Sequence, residues 1–386
     1  MNIKFLTFIR KLKRKITLFL FNLRRRDNLR IGIFRGTPYE MGFSHGKIFK
    51  KQIKYTYNKH NKFYKFKNLN KHKISKLVNF IENKFPEFIE EMKGIADGSD
   101  MNKEDIIFLN LFPVINSIIS RSKCTSVGFI SNDKGPILGQ NVDLGLEWRY
   151  YFIKKISPKN GYRSISGSWF GTIWQTVGMN EYGLCIGGSS VNVKKSHYDE
   201  IEDIILSNTV PLHFLSSLIL SQCKNVEEAI SLLNKYRFTL PFVVGESALL
   251  LDIEGKLAVI EKGGGQQTIK KAPLLYTTNI YIDSKMEKIM DIDSSESIKE
   301  ITINAKERYR TLNNLFRDIP KQRYSLDLMK TILSNHNPKG AICRHYGIGN
   351  EIGNTTFSYI MVSQQRKFLV ADGYPCCTKF KEIFLK

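Results

Sequence analysis

The sequence contains no apolar run approaching the roughly 18 residues that span a bilayer. It has no CxxC pair and no Cys/His spacing of the zinc-finger kind, so the sequence predicts no metal site and no cofactor. Its six cysteines, Cys124, Cys185, Cys223, Cys343, Cys376 and Cys377, are too sparse for a disulfide framework in 386 residues. They fit reduced thiols in a cytoplasmic compartment. Acidic residues are scarce, 36 against 59 Lys and Arg, which gives a formal charge of +23. Lysine, asparagine and isoleucine are abundant along the whole length, the bias an AT-rich genome produces without any ligand. The alternative is attraction to phosphate-bearing substrates or to an anionic membrane surface. A nucleic-acid module would gather its charge on a recognisable motif, and none occurs.

What is present is ample apolar material. Hydrophobic residues make up 42%, with 25 Phe and 17 Tyr, enough for a large core. Residues 1–30 stand apart as a basic leader in which Asp27 is the single acid and Phe and Leu interleave with Lys and Arg. This pattern predicts an amphipathic segment suited to peripheral membrane contact, with a disordered leader as the plainer alternative. From Ile31, IGIFRG reads as a strand, Gly36-Thr37-Pro38 as a turn, and a helix begins near Tyr39. Residues 47–123 read as mostly helical, with one helical run over Ser75–Gly94 and a cap at Ser99 or Asp100.

At Cys124 the texture changes to short β-rich runs: CTSVGFI, PILGQNVDL, YRSISGSWF and YGLCIGGSSV. Helix follows over 209–236, then two strands joined by a DIEG hairpin turn, a polar loop over 281–300, two more helices, and a closing hairpin from TTFSYIMV. Helical blocks separated by antiparallel hairpins predict an α+β layered domain, not a doubly wound parallel sheet.

The candidate chemistry centres on Cys124, where helix gives way to strand. Asp143 closes the next strand, so a β-hairpin brings thiol and carboxylate to one sheet end, as a nucleophile and its orienting group require. Taken singly, a lone Cys is usually a small core residue and an Asp before Leu-Gly a turn residue.

Here the sequence resembles the acyl-CoA:6-aminopenicillanic acid acyltransferase family, peptidase family C45, among the N-terminal nucleophile (Ntn) hydrolases. The matching pieces are GTPYEMGFSHG at 36–46, CTSVGF at 124–129, GPILGQNVDL at 135–144, GMNEYGLCIGGSS at 178–190, TTN at 277–279, ICRH at 342–345 and DGYPC at 372–376. The resemblance implies a four-layer αββα sandwich made as a precursor. Its own nucleophile would cut the Lys123–Cys124 bond, releasing residues 31–123 as a tightly associated segment and leaving 124–386 as the catalytic one. It implies Cys124 as nucleophile, Asp143 and Arg344 beside it, and Asn279 as oxyanion donor. The terminal amine of Cys124, with a pKa of about 7.7–8.0, would be the general base. The substrate would be a small N-acyl amide or acyl-thioester, such as an acyl-CoA, with water or an amine as acceptor. Trp169 and Trp174 are candidates to line an acyl pocket, with core packing as their plainer role. His45 is expected to pack the first helix. Cys376 and Cys377 are expected as core or near-site thiols.

Two features depart from the family pattern. Ile280 follows TTN where the family often has His, and Lys123 is bulky where a small residue eases distortion of the bond. Two other readings compete: a papain-like protease pairing Cys124 with His213 or His345, and a non-catalytic, membrane-surface or ligand-binding protein that keeps the fold.

Overall fold

The computed structural model describes residues 29–61, 71–115, 123–144, 151–195, 208–241, 243–345 and 354–385. The amphipathic reading of the leader falls on residues 1–28, outside the described residues.

The chain begins with β1 (Ile31–Gly36) and α1 (Pro38–Asn61). The helix starts where expected because Thr37 and Glu40 form a reciprocal capping box. Thr37 N donates to Glu40 Oε2 at 2.7 Å, and Glu40 N donates to Thr37 Oγ1 at 3.3 Å. These bonds hold the Glu40 carboxyl below its ordinary pKa. Three further helices follow: α2 (Lys71–Lys84), α3 (Pro86–Ser99) and α4 (Lys103–Ile115). The run expected over Ser75–Gly94 is therefore two helices, because Pro86 has no N–H to continue α2 and instead opens α3. The expected cap at Ser99 or Asp100 is also corrected. Asp100 terminates α3 in the left-handed conformation (φ 49°) and does not start α4. The glycines of YEMGFSHG let α1 and α3 meet backbone to backbone. A Cβ on Gly42 would lie 2.0 Å from the carbonyl oxygen of Glu91.

The remaining strands are β2 (Thr125–Ser131), β3 (Gly135–Leu144), β4 (Tyr151–Pro158), β5 (Ser164–Trp169), β6 (Val177–Asn180) and β7 (Cys185–Asn192), then β8 (Thr209–Pro211) and β9 (Phe238–Leu240). They continue with β10 (Val244–Leu251), β11 (Leu257–Gly263), β12 (Gln266–Lys271), β13 (Leu274–Thr277), β14 (Asn354–Val362), β15 (Lys367–Ala371) and β16 (Lys381–Phe384). The helices among them are α5 (Leu212–Gln222), α6 (Val226–Lys235), α7 (Ser284–Glu287), α8 (Glu296–Asp318) and α9 (Leu326–Leu333). One sheet runs β1-β4-β5-β6-β7-β10-β11-β12 and the other β13-β2-β3-β14-β15-β16.

Alternation along the strands makes the layers. On β2, Val127 and Phe129 point outward to pack with Leu312 of α8 and Met329 and Leu333 of α9. Leu138, Val142, Ile153, Ile165, Leu249 and Tyr359 fill the space between the sheets. Phe34, Ile53, Ile89, Phe152 and Leu218 bury the outer face of the first sheet under α1, α3 and α5. The order is helix, sheet, sheet, helix, the expected α+β sandwich. His45 is fully buried in this helical layer, stacked on Phe34, as expected. Among the described residues no helix is long and apolar enough to cross a membrane.

The strand β4 escapes the sequence pattern because YFIKKISP carries two lysines. Lys154 is nevertheless 1% exposed, and its ammonium meets Glu91 of α3 at 2.5 Å. The loop expected over 281–300 is corrected as well: α7 lies within it, and α8 begins at Glu296 under a Ser295 cap.

The Lys154–Glu91 pair joins the helical layer to the first sheet. Removing one partner strands a buried charge. Glu91→Ala should lower unfolding stability by about 3–5 kcal/mol, whereas Glu91→Leu combined with Lys154→Met should restore most of it. Denaturant midpoints of the two variants and the wild type check this.

Candidate active site

The second sheet places Cys124 one residue before β2, at the last rung of its ladder with β3. Thr125 pairs with Asn141, and Lys123 N donates to the Asp143 carbonyl at 3.1 Å. Asp143 pairs in turn with Thr355 at the start of β14. Thiol and carboxylate thus share one sheet end, as the hairpin reading requires.

Asp143 is 1% exposed and its Oδ1 accepts from Thr355 Oγ1 at 2.7 Å. That hydroxyl accepts from Arg344 N at 2.9 Å, and Thr355 N donates to the Arg344 carbonyl at 2.9 Å. Arg344 is therefore locked beside Asp143 by its backbone, and it is fully buried, which rules out an ordinary surface arginine. Burying a guanidinium without a counter-charge is costly, and the Asp143 strand end supplies acceptors nearby.

Asn279 follows β13 at the opposite edge of β2. Its Nδ2 donates to the Ser190 carbonyl at 2.9 Å, and its Oδ1 accepts from Arg308 Nη2 at 2.8 Å. Arg308, on α8, was missing from the sequence reading. It is fully buried, and its fork also reaches Thr125 Oγ1 at 2.7 Å and the Cys124 carbonyl, while Nε donates to Asn304 at 3.0 Å. The Cys124 carbonyl takes a further bond from Ser189 Oγ at 3.2 Å. A signal for Arg308 did exist. It falls on the stripe Ile301, Ala305, Leu312, the core face of α8, where an arginine needs buried partners.

Cys124 is 7% exposed and packs in the inter-sheet cluster with Tyr151, Phe357 and Tyr359. Burial raises the pKa of both tyrosines, and the neighbouring Cys124 adds to the effect, so both phenols stay protonated beside the thiol. Trp169 lies edge-on to Tyr151 at 5.0 Å, with Trp174 5.6 Å further. Trp169 is therefore part of the wall around Cys124. Trp174 is 4% exposed and sits in the helical core cluster, against His213 at 4.4 Å. Glu246, half-buried on β10 opposite Ser190, is a second group the sequence did not reveal, and burial raises its pKa to about 7.

The histidines of the papain-like alternative have other partners. Burial lowers the pKa of His213 to about 4 against Trp174. His345 lies with His336, Cys343 and Cys376. Cys376 and Cys377, expected in the core or near the site, are exposed on the turn that Tyr374 begins.

Residues 130–370, more than half of the chain, match the family described as acyl-coenzyme A:6-aminopenicillanic acid acyl-transferase. The match takes in Asp143, Asn279, Arg308 and Arg344 and begins just after Cys124. A β-alanyl-dopamine/carcinine hydrolase from Drosophila melanogaster is 23% identical over 323 residues, 72% of this chain and 79% of that protein. Among solved structures, a conjugated bile acid hydrolase from Clostridium perfringens aligns with TM-score 0.45 at 14% identity, over 68% of this chain and 97% of that one. An N-acylethanolamine-hydrolyzing acid amidase ortholog from Caenorhabditis elegans aligns with TM-score 0.43 at 14% identity, over 68% and 100%.

Arg308→Ala should orphan the Asn279 amide oxygen, at about 1–3 kcal/mol, and leave the Cys124 carbonyl with Ser189 as its remaining donor. Arg308→Lys should recover only part, because a single ammonium cannot reproduce the planar fork. Thermal unfolding of both variants tests the assignment, and equal stability of Lys and wild type would contradict it.

Proposed function

Because the chain belongs to the acyl-coenzyme A:6-aminopenicillanic acid acyl-transferase family, we propose that it is an amide hydrolase or acyltransferase that severs its own Lys123–Cys124 bond and then works through Cys124 as an N-terminal nucleophile. The observation that carries this reading is the clamp on both sides of that bond. Lys123 N is held by the Asp143 carbonyl, and the Cys124 carbonyl is held by Ser189 and Arg308. A peptide fixed at both ends is one the surroundings can hold away from its relaxed geometry, which attack by the neighbouring thiol needs. Lys123 itself is 2% exposed, so its bulk is accommodated inside the protein.

Self-cleavage is then an N-to-S acyl shift followed by hydrolysis of the thioester. Once Cys124 is terminal, its amine accepts the thiol proton and the thiolate attacks an acyl carbonyl. Negative charge develops on that carbonyl oxygen. Asn279 supplies an amide N–H donor from a side chain already oriented by Arg308 and Ser190. Asp143 and Arg344 are both buried and are linked through the Thr355 hydroxyl, which donates to the Asp143 carboxylate and accepts from the Arg344 backbone N–H. Collapse of the tetrahedral adduct expels an amine or a thiol and leaves a thioester on Cys124, which water or an amine acceptor resolves.

The aromatic wall of Tyr151, Trp169, Phe357 and Tyr359 suits an apolar acyl group. The substrate class on this reading is a small N-acyl amide or acyl-thioester, in keeping with a relative named as a carcinine hydrolase. No cofactor takes part in this chemistry. The N-terminal segment stays attached after cleavage. β1 is hydrogen-bonded along its length to β4, and residues from both sides of the cut share one core. The thiol chemistry fits a reducing cytoplasm, with the basic leader available for a membrane surface.

The test is to mix the protein with N-acyl amides and acyl-thioesters, with and without an amine acceptor, and to quench in acid. An acyl thioester should be recovered on Cys124, and Cys124→Ala should lose turnover by on the order of 10³-fold or more. Asp143→Asn and Arg344→Ala should keep the fold and lose about 10²-fold through misplacement. Wild-type turnover in Cys124→Ala would end the proposal.

A further inference from the structure

Outside the candidate active site, the fold gathers four side chains that lie far apart in sequence. His336 comes from the loop after α9, Cys343 and His345 from the segment leading to β14, and Cys376 from the turn after β15. Their ligand atoms all lie within 4.8 Å of one another. His345 Nε2 is the hub, 3.2 Å from His336 Nε2, 3.5 Å from Cys343 Sγ and 3.2 Å from Cys376 Sγ. No short-range spacing rule could reveal this set, because the last ligand is 31 residues beyond His345.

We propose that His336, Cys343, His345 and Cys376 form a four-coordinate site for a zinc-class transition-metal ion. Two imidazole nitrogens and two thiolate sulfurs are the donor set of tetrahedral zinc. Bond lengths of about 2.0–2.1 Å to nitrogen and about 2.3 Å to sulfur put tetrahedral ligand atoms roughly 3.3–3.8 Å apart. The distances around His345 already fall at or just below that range and the whole set lies within 4.8 Å, so an ion needs His345 to move slightly outward and the widest-spaced donors to draw in. The four donors fill the coordination sphere, which marks a structural site and not a catalytic one.

The surroundings are built to hold the ligands in place. The Asn335 carbonyl accepts from Ile342 N at 3.0 Å and Cys343 N at 2.9 Å, pinning the backbone of His336 against that of Cys343. The His345 ring stacks on Tyr374 at 4.0 Å and 14°, which fixes its plane. Cys343 is 1% exposed, whereas His336 lies at the surface, giving the ion a way in. The ligands Cys343 and His345 flank Arg344, whose backbone is paired with Thr355. An ion here would staple the C-terminal turn to the segment that carries Arg344, supporting the site from outside without touching the reacting atoms.

The test uses the full chain, purified reduced and then loaded with Zn²⁺ or Co²⁺. Elemental analysis should give one zinc per chain, and Co²⁺ should show thiolate charge-transfer bands with the intense d–d bands of tetrahedral coordination. Hydrogen exchange should slow across 336–345 and 374–377 on loading. His336→Ala, at an exposed position, should keep the apo circular dichroism yet bind zinc more than about 100-fold more weakly, and Cys343→Ser with Cys376→Ser should bind none. Zinc-free protein with no cobalt bands would overturn the site. So would unchanged affinity in the variants, or a mass deficit of two hydrogens showing that Cys343 and Cys376 are joined as a disulfide.

Discussion

The guanidinium of Arg308 is the interaction on which the candidate site depends. One planar group on an outer helix reaches through the second sheet to the Cys124 carbonyl, the Thr125 hydroxyl and the Asn279 amide. Those partners come from the start of β2 and from the connection after β13, so the fork fixes the distance between Cys124 and Asn279, the two groups to which the proposed reaction assigns nucleophile and oxyanion donor. A buried, permanently charged group must satisfy its donors within the protein. That requirement gives the local arrangement a single low-energy form.

The layers supply the rest. The two sheets face one another across an apolar filling, and the ends of β2, β3 and β14 carry Cys124, Asp143 and Thr355 to one edge of it. The aromatic residues that complete the filling also pack around the thiol, so the surroundings of Cys124 are apolar on that side and polar where Arg308 approaches. The helical segment before Cys124 does not stand apart from this frame. It provides edge strand β1 and the acidic partner of Lys154, and so shares in the fold that positions a bond at its own end.

Much of this was legible in the residues, for physical reasons. Cys124 and Asp143 fall at strand ends whose alternation is clear, and a hairpin leaves little freedom in where its ends lie. The DIEG turn and the closing hairpin were legible for the same reason. Helical blocks alternating with hairpins pointed to an α+β layered domain, and the four-layer order came from the family resemblance. What stayed hidden depends on partners distant in sequence. Lys154 looks like a surface lysine until Glu91 is packed on it, and β4 was lost with it. Pro86 divides a helix that the apolar spacing alone would continue. Arg308 resembles its solvent-facing neighbours in AKERYRTLNNLF until α8 lies on the sheet. The His336, Cys343, His345, Cys376 group is assembled only by tertiary folding.

The central claim is that Cys124 becomes the start of a chain. Intact mass of the purified protein under denaturing conditions tests it most directly. The account predicts two fragments that meet at Lys123 and Cys124, and one uncut chain for Cys124→Ala. An active preparation in which the wild-type protein has the mass of the uncut 386-residue chain would contradict it.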